Sequence, residues 1–183
     1  MNKSIILLIA ESGAGKDTIA NKLEEQGYKI LKSYATRPQR PGEGNTHIFI
    51  KPDEVEQYKN QMIAYTKIGE YEYFSTKDQL LNSDIYIIDP KGYKYLKNKI
   101  QNIKIIPIFI NVKEQERYNR ALKRINFNEK ERQKIEDRFI SEYKQFQEFR
   151  KNEEFYSVMN YDLNKAVKIV KYIIDIESGC NGE

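Results

Sequence analysis

The sequence has a single cysteine, Cys180, so no disulfide bond can form within the chain. It has no apolar run that approaches the roughly 20 residues required by a membrane-spanning helix. The apolar stretch over residues 5–10 is also too short for a secretion signal, and Glu11 ends it. These absences exclude a disulfide-stabilised secreted domain and a membrane protein. We therefore expect a cytoplasmic protein without a membrane partner.

Composition and charge indicate a soluble globular protein with a mixed surface. Hydrophobic residues make up 39% of the chain and charged residues 32%, and the mean hydropathy is -0.76. The 31 basic residues only slightly outnumber the 27 acidic ones, and the net charge of +4 does not indicate a nucleic-acid partner. A chain of 183 residues has room for one domain with a substantial core, and we expect a monomer or a homodimer.

Short apolar segments alternate with segments of helical periodicity along most of the chain. The predicted strands lie at residues 5–10, 29–34, 47–50, 85–88 and 104–110. The predicted helices lie at residues 17–27, 53–60, 90–99, 113–124, 131–149 and 162–176. This alternation predicts βαβ units and hence an α/β fold with a parallel sheet flanked by helices. Residues 35–79 break the alternation and predict an inserted small lobe.

Two details of this pattern bear on packing. Pro107 lies within a predicted strand and favours an edge position or a bulge, because proline cannot donate a backbone hydrogen bond. The predicted helix at 131–149 carries one apolar stripe. The stripe consists of Ile135, Phe139, Tyr143, Phe146 and Phe149.

The strongest chemical signal is the segment Ala10-Glu-Ser-Gly-Ala-Gly-Lys-Asp-Thr18, which follows a predicted strand and opens a predicted helix. Gly13 and Gly15 allow backbone N–H groups to turn inward around phosphate oxygens, and the helix N-terminus adds unsatisfied donors. Lys16 would reach the β- and γ-phosphates of a nucleotide. The spacing therefore predicts a phosphate-binding loop. The alternative is a glycine-rich turn with an exposed lysine.

Asp17 stands in this loop where a serine or threonine usually binds magnesium. A carboxylate is a good magnesium ligand, but it also brings a negative charge close to the phosphates. The sequence therefore predicts an altered metal site, with Asp17 as its protein ligand.

Two further groups of arginines suit phosphate chemistry. Arg37 and Arg40 lie three residues apart in a proline-rich loop, and a rigid pair of guanidinium groups fits a phosphate monoester. A polar stretch at 126–134 separates two predicted helices, and this arrangement suggests a mobile lid that carries positive charge. The arginines that flank this stretch are Arg120, Arg124 and Arg138. The alternative for both groups is ordinary solvated arginines.

These segments resemble the motifs of the guanylate kinase family, in the same order and over nearly the whole chain. The resemblance is carried by residues 12–16, by Ser-Tyr-Ala-Thr-Arg-Pro-Gln-Arg-Pro-Gly-Glu at 33–43, by Tyr-Phe-Ser at 73–75, by Ile-Asp-Pro-Lys-Gly at 88–92, by the three lid arginines, and by Asn-Tyr-Asp-Leu at 160–163. It implies a P-loop kinase with a core at 1–32, 80–124 and 138–183. It further implies a lobe for the nucleoside monophosphate at 33–79 and a helical lid at 125–137.

The resemblance also implies roles for individual residues, with ATP and Mg²⁺ as cofactors and small nucleotides as partners. It implies that ATP contacts Ser12, Gly13, Ala14, Gly15, Lys16, Asp17, Thr18, Arg120 and Asn160. It implies that the acceptor, GMP or dGMP, contacts Ser33, Arg37, Arg40, Glu43, Tyr73, Ser75 and Asp89. It assigns catalysis to Lys16, Arg37, Arg124 and Arg138.

Four positions depart from the family pattern, and they keep other functions open. Asp17 replaces the metal-binding hydroxyl, and Ile87 replaces an acidic residue. His47 stands near a tyrosine position that contacts the acceptor phosphate. Ala64 aligns with the glutamate that reads guanine, although Glu70 or Glu72 would take that role if the alignment slips. The alternatives are a kinase that acts on another nucleoside monophosphate or on ribose 1,5-bisphosphate, and a non-catalytic binding module.

Overall fold

The computed structural model describes residues 3–39 and 47–179. The predicted acceptor-binding residues Arg40 and Glu43, and the lone Cys180, lie outside the described residues. The strands are β1 (Ser4–Ile9), β2 (Ile30–Leu31), β3 (Ser33–Ala35), β4 (His47–Phe49), β5 (Met62–Ile68), β6 (Tyr71–Thr76), β7 (Ile85–Ile87), β8 (Lys104–Asn111) and β9 (Tyr156–Met159). The helices are α1 (Lys16–Glu24), α2 (Lys77–Leu81), α3 (Pro90–Lys99), α4 (Glu114–Arg124), α5 (Glu129–Asn152) and α6 (Leu163–Glu177).

The core is a five-stranded parallel sheet in the order β2-β7-β1-β8-β9. Side chains of β1 alternate between its two faces: Ile6 and Leu8 pack with α1 and α6, whereas Leu7 and Ile9 pack with α3 and α5. Burial on both faces explains why the strand is a continuous apolar run. The predicted α/β fold with a parallel sheet flanked by helices is confirmed. Among the described residues, no helix is long and apolar enough to span a membrane.

Pro107 has no backbone N–H to donate, and its position in β8 requires none, although β8 is an internal strand. Pro107 lies opposite Leu7 of β1, and the pairing of β8 with β9 begins one residue later, at Ile108. Pro107 therefore lies in the half of β8 that borders only one strand, where one side needs no hydrogen bond. The edge strand β9 was not predicted from the sequence.

A second sheet, in the order β4-β3-β6-β5, forms most of the predicted small lobe. The predicted strand at 29–34 is wrong as a single element, because the chain leaves the core sheet after Leu31 and enters the second sheet at Ser33. The predicted helix at 53–60 is two 3₁₀ segments, Pro52–Glu54 and Glu56–Gln61. Neither segment buries a residue, so no apolar face favours a longer α-helix. Strands β5 and β6 were not predicted.

Helix α5 is longer than predicted, and only part of its predicted apolar stripe is buried. Phe146 and Phe149 pack into the core, but Tyr143 is 53% exposed, so it does not share their buried face. The reason is that the C-terminal turns of α5 lie on the sheet, while its first turns lie beside α4, where Phe139 contacts Tyr118.

The break between α4 and α5 is also shorter than the predicted polar stretch at 126–134. It covers four residues, between Arg124 and Glu129. Asn126 and Phe127 adopt left-handed backbone conformations, with φ of 49° and 55°, which a continuing right-handed helix does not allow. Most of the polar stretch therefore belongs to the first turns of α5.

Candidate active site

The phosphate loop follows the carboxyl end of β1 and leads directly into α1. Gly13 and Gly15 have φ of 81° and 84°, in the left-handed region that favours glycine. A Cβ atom would lie 2.4 Å from the Arg117 carbonyl oxygen at Gly13, and 2.6 Å from the Asn160 Nδ2 at Gly15. Both glycines are therefore required by the backbone and by its neighbours. The loop places the N-terminal amides of α1 beside Lys16, as phosphate binding requires.

Two of the predicted ATP-binding residues support this loop from neighbouring elements. Asn160 is buried, and its Nδ2 donates a hydrogen bond of 2.8 Å to the Ala14 carbonyl oxygen. Arg120 on α4 donates from Nη2 to the Asn160 carbonyl oxygen at 3.0 Å and from Nε to Glu116. These contacts fix the loop's shape. They place the Asn160 side chain against the loop backbone, and its predicted contact with ATP stays a prediction.

Lys16 and Asp17 form a charged pair at the start of α1. The Lys16 Nζ lies 3.5 Å from the Asp17 Oδ2, and the Asp17 side chain is half exposed. Partial burial raises the pKa of Asp17, but attraction to Lys16 and Arg124 outweighs this effect and lowers the pKa overall. Asp17 is therefore a carboxylate at neutral pH. Thr18, the next residue, is exposed on α1.

The donor set at this loop fits magnesium held together with a nucleotide. Mg²⁺ takes oxygen ligands and is commonly bound by one or two carboxylates together with substrate phosphates. The Asp17 carboxylate provides one such ligand beside the phosphate loop. Across residues 3–39 and 47–179, no group of three or more His, Cys, Asp or Glu side chains could hold a metal by itself. Binding of the ion would therefore depend on phosphate oxygens.

An ion network with a buried carboxylate joins the loop to α4 and α5, and the sequence analysis missed it. Glu11 lies between Arg117 of α4 and Arg150 of α5, with nitrogen–oxygen distances of 3.3 Å and 2.9 Å. Arg117 is only 5% exposed, and its Nη1 also donates to the Ser12 carbonyl oxygen at 3.2 Å. The sequence does contain one sign of this network. Glu11 is an acidic residue inside a phosphate-binding loop, and such a charge needs a cationic partner.

Arg138 is joined to the same loop through Glu142, which the sequence analysis also missed. The Arg138 Nε donates to the Glu142 Oε1 at 2.9 Å. Glu142 in turn accepts hydrogen bonds from the backbone N–H and the hydroxyl of Ser12, at 2.8 Å and 2.7 Å. Arg124 is exposed in the last turn of α4. Arg124 and Arg138, two of the three arginines assigned to catalysis, thus lie on the helices at either side of the short break.

The predicted acceptor-binding side chains Ser33, Arg37 and Tyr73 come together on the second sheet. The Arg37 Nε donates to the Tyr73 hydroxyl at 3.1 Å, and its guanidinium lies over the Phe49 ring. The Ser33 hydroxyl lies 2.9 Å from the His47 Nδ1, and the His47 and Tyr73 rings contact each other edge to face. The result is a cationic and hydroxyl-rich group, which suits a phosphate monoester.

The remaining predicted acceptor contacts lie where the second sheet meets the core. The Asp89 Oδ1 accepts from the Gly92 N–H at 2.7 Å and from the Thr66 hydroxyl at 3.0 Å. Burial raises the pKa of Asp89, and these hydrogen bonds reduce that shift without cancelling it. Ser75 on β6 is fully buried. Ala64 on β5 is also buried, and its methyl group offers no hydrogen-bonding atom.

Glu70 and Glu72, which were considered as substitutes for Ala64 in reading guanine, lie in different environments. Glu70 is exposed in the turn between β5 and β6. Glu72 lies on β6, and its Oε1 accepts a hydrogen bond of 2.6 Å from the Tyr65 hydroxyl. This bond is the main reason that the pKa of Tyr65 rises to about 12. Glu72 therefore already has a partner within its own sheet.

The fold and the loop together define a nucleotide kinase of the phosphate-loop class, with a parallel sheet core and a second, smaller sheet. A family model described as Guanylate kinase matches residues 1–177. The guanylate kinase of Wolbachia pipientis wMel is 30% identical over 185 residues, which cover 94% of this chain and 90% of that protein. The chain belongs to the guanylate kinase family.

Further relatives agree with this membership. The guanylate kinase of Helicobacter pylori (strain ATCC 700392 / 26695) is 28% identical, over 91% of this chain and 84% of that protein. The crystal structure of guanylate kinase from Anaplasma phagocytophilum has a TM-score of 0.65 at 17% identity, and the match covers 97% of this chain and 87% of that one. At this identity the structural similarity concerns the fold.

Proposed function

We propose that this protein transfers the γ-phosphoryl group of ATP to the phosphate of GMP or dGMP, yielding ADP and GDP or dGDP. The observation that carries the proposal is the phosphate loop, in which Gly13, Gly15 and Lys16 retain the backbone conformation and charge needed for a triphosphate. The curated relatives named guanylate kinase support GMP as the acceptor.

The donor side uses the loop amides and Lys16. Backbone N–H groups between Ser12 and Thr18 would bind phosphate oxygens, and the Lys16 ammonium would balance the charge on the β- and γ-phosphates. Magnesium, when bound, would neutralise charge on the phosphates, and Asp17 is the residue that would hold it. Because Lys16 attracts Asp17, this carboxylate stays ionised and available at neutral pH.

The acceptor side uses the group formed by Ser33, Arg37 and Tyr73, with Arg40 and Glu43 proposed as further contacts. Arg37 is already oriented by Tyr73 and Phe49, so little side-chain freedom would be lost when a phosphate binds. Ser75 and Asp89 would contact the base or the sugar of the acceptor.

Transfer of the phosphoryl group requires positive charge around it and exclusion of water. Arg124 and Arg138 lie on α4 and α5, which flank the break at 125–128. We assign residues 125–137 to a lid and residues 33–79 to the lobe that carries the acceptor, with the remaining described residues as the core. Closure of both parts would bring the two arginines to the transferring phosphoryl group and suppress ATP hydrolysis.

A second candidate function is transfer to another acceptor, and Ala64 is the observation that favours it. A buried methyl group accepts no hydrogen bond from a guanine edge. The base-binding site therefore has one polar contact fewer with which to distinguish guanine from other bases. A site that hydrogen-bonds the polar edge of its substrate can favour that substrate over an analogue by about 10⁴ in kcat/KM. A site without the hydrogen-bonding group loses most of that factor. We therefore expect GMP to be preferred over AMP or IMP by only about 10² or less in kcat/KM.

The experiment compares initial rates with ATP and each of GMP, dGMP, IMP, AMP and ribose 1,5-bisphosphate under identical conditions. Highest kcat/KM with GMP or dGMP supports the proposed function. Highest kcat/KM with another acceptor supports the second candidate. Strict selectivity for GMP contradicts the role given to Ala64 and points to another acidic residue. An absence of product with all five acceptors overturns the kinase proposal and favours a binding module.

A further inference from the structure

Glu142 connects two parts of the chain that lie 130 residues apart, the phosphate loop and the middle of α5. Its Oε2 accepts the backbone N–H of Ser12, while its Oε1 accepts both the Ser12 hydroxyl and the Arg138 Nε. One carboxylate therefore contacts both the loop proposed to bind ATP and an arginine proposed to act on the transferring phosphoryl group. The Glu142 side chain is only 18% exposed and Arg138 is 51% exposed, so the contacts with Ser12 are shielded from water while the contact with Arg138 is partly open to it.

The way in which Arg138 is held leaves its phosphate-binding end available. Glu142 engages the Nε, which fixes the plane of the guanidinium group. Among the described residues, the Nη1 and Nη2 atoms of Arg138 have no hydrogen-bond partner. A guanidinium presents its terminal N–H groups to phosphate oxygens in a planar fork, and orientation in advance reduces the entropy lost on binding.

We infer that Glu142 is a positioning residue, which fixes Arg138 against the phosphate loop so that its terminal nitrogens meet the transferring phosphoryl group. This inference rests on the proposed function. Burial raises the pKa of Glu142, but the Arg138 charge and the Ser12 hydrogen bonds lower it overall. The group is therefore ionised at neutral pH and able to accept all three hydrogen bonds.

The opposite role, in which the carboxylate obstructs ATP, has a different kinetic signature. A negative charge at the loop opposes a triphosphate, but Arg138 balances that charge at 2.9 Å. Obstruction predicts that removing the carboxylate lowers the KM for ATP and leaves kcat unchanged or higher. Positioning predicts a lower kcat with little change in KM, because the contact matters in the transition state.

The experiment is a double-mutant cycle in the complete protein, with GDP formation from ATP and GMP as the readout. Glu142→Gln keeps the size of the side chain but removes its charge and one acceptor oxygen. We expect kcat to fall by about 10- to 10²-fold, as for a misplaced catalytic group, with the KM for ATP changed less than about threefold. When Arg138 is already replaced by alanine, Glu142→Gln should lower kcat less than about twofold, because Glu142 acts by positioning Arg138.

Glu148→Gln is the matched control, because Glu148 is an exposed glutamate on the same helix. Its rate should equal that of the unmodified protein. If Glu142→Gln fails to fold, Glu142→Asp replaces it, since the shorter carboxylate keeps its charge but withdraws from Ser12 and Arg138.

The inference would be overturned if the effects of Glu142→Gln and Arg138→Ala on the free energy of activation were fully additive. It would also be overturned if Glu142→Gln lowered the KM for ATP without lowering kcat. An unmodified protein that forms GDP while Glu142→Gln remains fully active would overturn the inference alone. An unmodified protein that forms no GDP would overturn the proposed function, and the inference with it.

Discussion

The Glu11 carboxylate and the Arg150 guanidinium form an ion pair of 2.9 Å between the phosphate loop and the last turns of α5. The other oxygen of Glu11 lies 3.3 Å from Arg117 on α4. The loop is thus joined to both helices that border the proposed lid. Glu11 and Arg117 are buried, so these two charges depend on each other for compensation, while Arg150 is about one third exposed.

Replacing Glu11 with glutamine should strongly destabilise the fold. The change leaves two guanidinium groups without a counter-charge, one of them almost fully buried, and breaking a buried pair typically costs about 3–5 kcal/mol. Urea denaturation at pH 7 measures the free energy of unfolding. Glu131→Gln serves as the control, because it breaks an exposed pair with Lys134 at 2.8 Å and should cost less than about 1 kcal/mol. Equal losses in the two variants would contradict the structural role of Glu11.

Replacing Asp17 with serine should raise the magnesium concentration needed for half-maximal activity. The reason is that a serine hydroxyl is a weaker magnesium ligand than a carboxylate held ionised by Lys16 and Arg124. The measurement is a magnesium titration of GDP formation at fixed ATP. Higher activity of Asp17→Ser at low magnesium would show that the aspartate is a handicap, and it would refute the metal role.

The contribution of Glu142 to stability should depend on pH in the acidic range. Its folded-state pKa lies below the ordinary value of 4.5, so the folded protein binds this proton more weakly than the unfolded chain does. The stabilisation is therefore fully present above pH 4.5 and is lost as the pH falls through the folded-state pKa. The stability difference between the unmodified protein and Glu142→Gln should shrink below pH 4.5. A difference that grows on acidification would contradict the sign of this shift.

The three central strands of the core sheet and the phosphate loop could be predicted from the sequence because their signals are local. The apolar run of β1, the glycines at 13 and 15, and Lys16 are adjacent in the chain, and their structure follows from that spacing. Strands β5 and β6 could not be predicted in the same way. These strands are stabilised because β5 pairs with β6 and β6 pairs with β3. The residue pattern of a single strand does not reveal such pairing.

The candidate site shows the same division between local and distant contacts. The residues of the loop were found by their motif, whereas Glu142 was missed because its partner Ser12 lies 130 residues away. The only local sign was its position four residues after Arg138, where side chains on a helix can pair. Tyr143 was included in the apolar stripe on spacing alone, but its turn of α5 lies beyond the sheet that would cover it.

The initial rate of GDP formation before and after Lys16→Ala shows whether the phosphate loop catalyses transfer from ATP to GMP. We expect GDP formation by the unmodified protein and a loss in kcat of at least about 10² in the variant, because an electrostatic contact to the transferring group is removed. Lys22→Ala, on the exposed side of the same helix, should retain full activity, and thermal unfolding should show that both variants are folded. A Lys16→Ala protein that keeps more than about a tenth of the unmodified rate would show that Lys16 does not act on the transferring phosphoryl group.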